Sequence, residues 1–187
     1  MDNKQTLHVS AFTLLEMMVS MTLISVIFLM IMQSFNAILL GSYLIDARTA
    51  VRNESEFVGE YFKLRVKNAD PRSVTCNNTG SAKYITWQSK GSSDSWVFFA
   101  EPQGDNTYRF CMYQNPNPGA TPDLKCHRIL TYNDVRVTKV DVTCEAPDAD
   151  RAQIANVNLN YTMESTAKLG DGPAVKGVSR FVTVSIR

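Results

Sequence analysis

Between Met17 and Ile45 the chain carries no charged residue, and the stretch MMVSMTLISVIFLMIM is interrupted only by Ser20, Thr22 and Ser25. A helix rises 1.5 Å per residue and a hydrocarbon core is ~30 Å thick, so ~20 such residues cross it, and Phe12 to Ile45 has length to spare. Burying this segment in a soluble core would need an apolar sheath on every face, and no other segment is apolar enough to supply one. A cleaved secretory signal would end its apolar region after ~7–15 residues at a small-x-small site, which is missing here. The stretch is therefore expected to stay on the protein. The 44% hydrophobic content averages it with a more polar remainder.

The rest of the composition narrows the classes further. With 187 residues, nine Gly and seven Pro, the chain fits one domain plus an appendage and is neither disordered nor collagen-like. A formal net charge of +1 supplies no long-range field for nucleic acid. Arg65, Lys67, Arg72, Lys83 and Lys90 form the one cluster to consider, but the acids among them point to a solvated face, so a nucleic-acid partner is not supported by charge. Lys4 and the amino terminus precede the span while the polar bulk follows it, which favours a cytoplasmic N-terminus and an exported C-terminal domain.

Glu16 stands at the N-terminal edge of the apolar stretch. A carboxylate there costs about 2.5–3.5 kcal/mol if carried to mid-bilayer, so it either marks the interface or has a cationic partner. The surrounding residues, Ala11-Phe12-Thr13-Leu14-Leu15-Glu16-Met17-Met18-Val19 after a short polar leader, resemble the processing motif of type IV pilins and type II secretion pseudopilins. The resemblance implies that a prepilin peptidase cuts between Ala11 and Phe12, removes MDNKQTLHVSA and N-methylates Phe12. The family usually has Gly where this chain has Ala11. It also implies a role for Glu16: in an assembling filament its carboxylate neutralises the new Phe12 amine of the adjacent subunit. Because an unpaired charge in an apolar bundle is expensive, this pairing selects the axial stagger.

Beyond the span, Leu44, Ala47, Val51, Ser55, Val58, Phe62 and Val66 recur every three or four residues. Asp46, Arg48, Arg52, Glu54, Glu56, Glu60, Lys63 and Lys67 fill the other faces, giving an amphipathic helix that should pack on a head. Pro71 ends it near Asn68 or Ala69. No proline interrupts the helix from Phe12, so a continuous rod is expected, on the order of 85 Å long.

The remainder reads as strands over 83–88, 96–101, 108–113, 125–131, 135–143, 156–163 and 179–186. A phase change is expected at Thr138 or Lys139. Val157, Leu159, Tyr161 and Met163 share one face, as do Val182, Val184 and Ile186, with Phe181 out of phase. The expected fold is α+β, a long N-terminal helix packed on an antiparallel sheet. Its segments are a leader 1–11, a membrane or filament-core helix 12–45, an amphipathic helix 46–70 and a head 71–187. This layout, with a late strand at Ile129–Val135 and a last strand Arg180–Arg187, resembles J-like and W-like minor pilins and pseudopilins, which implies a place in a tip or initiation complex.

Four cysteines, Cys76, Cys111, Cys126 and Cys144, all follow the span and lack C-x-x-C spacing, so two disulfides are expected in an exported head. Three pairings are open. Cys111 and Cys126 flank the Pro/Asn/Gly-rich excursion Asn115 to Pro122, which favours joining them and leaves Cys76 for Cys144. No catalytic residues, metal or cofactor are expected: His8 lies in the leader, His127 on a strand, and Glu145, Asp148 and Asp150 lack an EF-type pattern. Asn77-Asn78-Thr79 and Asn160-Tyr161-Thr162 fit the glycosylation sequon, a pattern frequent by chance. Trp87, Trp96, Phe98 and Phe99 read as sheet core and margin. The expected protein is a non-enzymatic minor pilin or pseudopilin. Its partners would be other subunits, a prepilin peptidase and the inner membrane, and its head would end in a surface pilus or periplasmic pseudopilus. The alternative is an uncleaved single-pass protein displaying a disulfide-stapled binding domain.

Overall fold

The computed structural model describes residues 13–79, 83–104, 106–115, 126, 130–131, 134–145, 155–169 and 172–186. Among the described residues, one helix, α1 (Leu14–Val66), is followed by a 3-10 turn (Pro71–Ser73) and nine strands. These are β1 (Thr75–Asn77), β2 (Lys83–Gln88), β3 (Ser95–Gly104), β4 (Thr107–Asn115), β5 (Val135–Glu145), β6 (Ala155–Ser165), β7 (Lys168–Leu169), β8 (Gly172–Pro173) and β9 (Val178–Ile186). Seven strands form one sheet in the order β1-β2-β3-β4-β5-β6-β9, every pair antiparallel, so the architecture is α+β. The chain divides into two compact units at Tyr43–Leu44.

In the second unit α1 buries the stripe Ala47, Val51, Ser55, Val58, Phe62 and Val66. Glu54, assigned by its charge to a solvent face, is buried as well. Its place one residue from the stripe brings it under the sheet, near enough to Tyr161 to act on its phenol. α1 ends at Val66, two residues before the expected stop, because the sheet takes over the next backbone groups. Ala69 bridges to Ser89, the Asp70 N–H donates to Gln88 O at 2.8 Å, and the Lys90 N–H donates to Asn68 O at 2.8 Å. Asp70 then caps the 3-10 turn by accepting from the Arg72 N–H, with Pro71 at its first position.

An aromatic circuit joins helix to sheet. Phe62 of α1 meets Phe98 of β3 (centroids 5.0 Å apart), Phe98 meets Phe110 of β4 (5.1 Å), and Phe110 meets Tyr161 of β6 edge-on (5.3 Å). The Tyr161 hydroxyl returns to α1, donating to Ser55 O at 2.5 Å. Burial pushes this phenol up to about 12, so it remains a neutral donor.

The sheet curls. β4 and β5 share one paired position, Tyr108 with Val137, while the far end of the strand order comes round to β5. There Cys76 of β1 bonds Cys144, Asn78 Nδ2 donates to Asp141 Oδ1, and Lys83 Nζ donates to Val140 O. Thr138 is the bulge between Val137 and Lys139, which resets the alternation of β5. The expected strand 125–131 is not seen at its described residues. Leu130 and Thr131 are buried outside any strand, and the Leu130 N–H donates to Phe110 O at 2.8 Å, so Leu130 meets β4 at a position β5 does not pair. The late strand begins at Val135.

β3 and β4 are buried on both faces. Phe98, Ala100, Phe110 and Met112 face α1, whereas Val97, Phe99, Cys111 and Tyr113 form a second cluster on the other face, with Tyr84 and Cys126 packed on it.

Gly59 marks the closest approach of α1 to the sheet. A Cβ there would lie 3.1 Å from Tyr161 Oη, 3.2 Å from Arg180 Nε and 3.2 Å from Val182 Cγ2. Alanine gains about 1 kcal/mol in helix propensity, but overpacking costs about 1–3 kcal/mol, and Tyr161 and Val182 are held by the core. Gly59→Ala is expected to lower stability by about 1 kcal/mol in a urea titration; a raised midpoint would show that the contact can relax.

Candidate functional site

Among its described residues, the first unit is helix from Leu14 onward. Thr13 caps it: the Glu16 N–H donates to Thr13 Oγ1 at 3.3 Å and to Thr13 O at 3.1 Å, and the Met17 N–H donates to Thr13 O at 3.2 Å. Glu16 thus sits three residues after the cap, in its first turn, where a carboxylate suits the positive end of the helix dipole. The T-x-x-E spacing of Thr13 and Glu16 is the sequence signature of such a start, and it lies inside the segment read above only for processing. Ala11 and Phe12, the residues flanking the expected cut, lie outside the described residues, as does His8.

From Leu14 to Tyr43 the large apolar side chains are exposed on every face, among them Leu14 at 80%, Ile24 at 66% and Phe28 at 61%. Kept in water, this surface would cost on the order of tens of kcal/mol. The helix is long and apolar enough to cross a membrane, and no part of its most apolar window is buried within the chain. Its hydroxyls do not contradict that. Ser20 Oγ donates to Glu16 O, Thr22 Oγ1 to Val19 O, Ser25 Oγ to Met21 O, each at 2.8 Å, and Ser34 Oγ to Met30 O at 2.9 Å. Each of these four hydroxyls is satisfied within the helix, as lipid requires.

In the second unit the structure joins Cys76 to Cys144 (Cα–Cα 5.6 Å) and Cys111 to Cys126 (5.3 Å). Glu101 lies beside Cys111 and Cys126, a grouping that would suit a metal if the sulfurs were thiolates; the disulfide removes both. Of the candidate basic cluster, Arg65, Lys67, Arg72 and Lys90 are exposed and Lys83 is half-buried. Arg65 lies over the rings of Tyr61 (5.4 Å) and Trp96 (5.0 Å), and Lys83 lies 5.7 Å from the Tyr108 ring centroid. Trp87, Phe98 and Phe99 are buried and Trp96 is half-buried. Of the sequon residues, Asn77 accepts from both the backbone N–H and the hydroxyl of Thr79. Glu145 accepts from Asn156 Nδ2 at 3.0 Å, while Asp148, Asp150 and His127 lie outside the described residues.

Residues 7–32 match the family model of the prokaryotic N-terminal methylation motif. The chain therefore carries, at its N-terminus, the signature typical of type IV pilins and pseudopilins, on an apolar helix of the kind that signature requires. A comparison with curated proteins finds no match, and one with solved structures finds none.

The two disulfides close loops of different length, 68 and 15 residues of separation. On the chain-entropy account they stabilise by about 4 and about 3 kcal/mol. Replacing Cys76 and Cys144 together by alanine is expected to lower the denaturation midpoint more than replacing Cys111 and Cys126. The reverse order in a urea titration would show that the second cluster on β3 and β4, and not loop closure, dominates.

Proposed function

We propose that this chain is a minor pilin or pseudopilin, a non-enzymatic subunit of a type IV pilus or type II secretion pseudopilus that works in the tip or initiation complex. The observation that carries this reading is the methylation motif at 7–32 on a charge-free helix with Glu16 in its first turn. On this reading a prepilin peptidase removes 1–11, Phe12 becomes the methylated N-terminus, and the helix anchors the subunit in the inner membrane with its head exported. Other pilin subunits are its partners. Glu16 offers the carboxylate that neutralises the Phe12 amine of the next subunit, so this chain docks beneath or beside another and does not form the terminal cap. The layout of helix and sheet supports the minor-subunit assignment.

N-terminal sequencing of membrane-purified protein is expected to begin at a methylated Phe12; a start at Met1 would favour an uncleaved single-pass anchor displaying its head. Glu16→Ala leaves one amine unpaired in an apolar bundle and is expected to cut recovery in sheared filaments by roughly tenfold or more. Recovery equal to the wild type would remove the charge-pairing role.

A further inference from the structure

The head has a concavity that neither the motif nor the core explains. It is open, about 370 Å³ in volume, lies wholly in the second unit, and runs between the start of α1's buried stripe and the start of β9. Arg48, Arg52 and Arg180 line it, with Glu56 as the one acid. Glu56 Oε1 takes both Arg52 Nε at 3.2 Å and Arg180 Nη1 at 3.7 Å. Arg48 has no ion pair or hydrogen bond among the described residues. Three guanidiniums against one carboxylate leave a local excess of two positive charges, in a chain whose formal total is +1. Val175 and Val178 form an apolar wall beside them.

We infer that this groove holds the phosphate of an anionic phospholipid in the outer leaflet while the subunit resides in the membrane. The inference rests on the membrane-inserted state proposed above. Its position along α1 decides the source of the anion. The uncharged run from Met17 to Ile45 is about 43 Å long, close to the ~40–45 Å of a bilayer with its headgroups. Arg48 is the first cation past that run, about 4.5 Å of helix rise beyond Ile45, and a helical side chain leans back toward the N-terminus, which brings its guanidinium within reach of the outer headgroups; Arg52 stands one turn further out. Guanidinium forks match phosphate oxygens two by two, and the valine wall suits a glycerol and upper acyl segment, which a soluble phosphate lacks.

The test uses the full chain in nanodiscs of phosphatidylcholine with a minority of phosphatidylglycerol, the lipids retained on the protein being counted by native mass spectrometry. The wild type is expected to retain phosphatidylglycerol above its share of the bilayer. Each arginine lost should reduce that enrichment by roughly fivefold, the equivalent of about 1 kcal/mol per basic residue at an anionic surface. Arg48→Gln is the clean variant because Arg48 has no hydrogen bond or ion pair among the described residues, and Arg48→Lys should restore part of the effect. Insertion without enrichment, or enrichment unchanged in Arg48→Gln and Arg52→Gln, overturns the groove and leaves the membrane reading standing. Enrichment abolished by millimolar inorganic phosphate assigns the groove to a soluble anion and also overturns the inference. Failure of the chain to enter nanodiscs overturns both readings.

Discussion

The second unit is organised around a closed circuit of contacts that begins and ends on one helix. Phe62 leads to Phe98, Phe98 to Phe110, Phe110 to Tyr161, and the Tyr161 hydroxyl returns to Ser55 O, two turns before Phe62 on α1. Each ring pair is worth about 0.5–1.5 kcal/mol beyond its buried area, and the hydrogen bond about 1 kcal/mol. The larger effect is on register. A slip of α1 along the sheet would part Tyr161 from Ser55 and drive a residue with a side chain into the place of Gly59. Helix position, the lean of β6 and the absence of a Cβ at 59 are thus parts of one constraint.

Much of this was legible because burial follows period. The spacing of Ala47, Val51, Ser55, Val58, Phe62 and Val66 named the inner stripe of α1, and β6 alternates along its whole length as its valine, leucine, tyrosine and methionine predict. The α+β architecture and the bulge at Thr138 follow from the same alternation. What escaped has physical reasons. Glu54 is charged and was placed outside by its type, although its angular position beside Ser55 carries it inward. The second cluster was hidden because two-sided burial produces an unbroken apolar run, Trp96-Val97-Phe98-Phe99-Ala100, and such a run does not say that two different partners cover its faces. Short β1 follows a turn, pairs with β2 over its three residues and is tied to β5 by the Cys76–Cys144 link, and three residues are too few to show a period.

At the other end of the chain, sequence alone marks Thr13 only as part of a recognition motif and Glu16 for its charge. The structure gives Thr13 a second task, ending the helix's free N–H groups where the charge-free stretch begins. The methylation motif and the helix cap therefore draw on the same few residues, and the cap keeps Glu16 on the first turn of the helix. Arg48, Arg52 and Arg180 show the opposite case. Arg48 and Arg52 are one turn apart on α1, but Arg180 comes from β9, and no local pattern joins it to them until β9 is laid beside α1.

The hydroxyls folded back onto the apolar helix have a consequence for movement. Ser20, Thr22, Ser25 and Ser34 donate to carbonyls three or four residues earlier, so that stretch carries these groups already satisfied. Passing from lipid tails to the packed centre of a filament would exchange one hydrocarbon surrounding for another without rewiring any of them. On the proposed reading, the electrostatic work of extracting such a subunit would fall on its two ends, where the carboxylate of Glu16 and the basic groove would each trade one set of counter-charges for another.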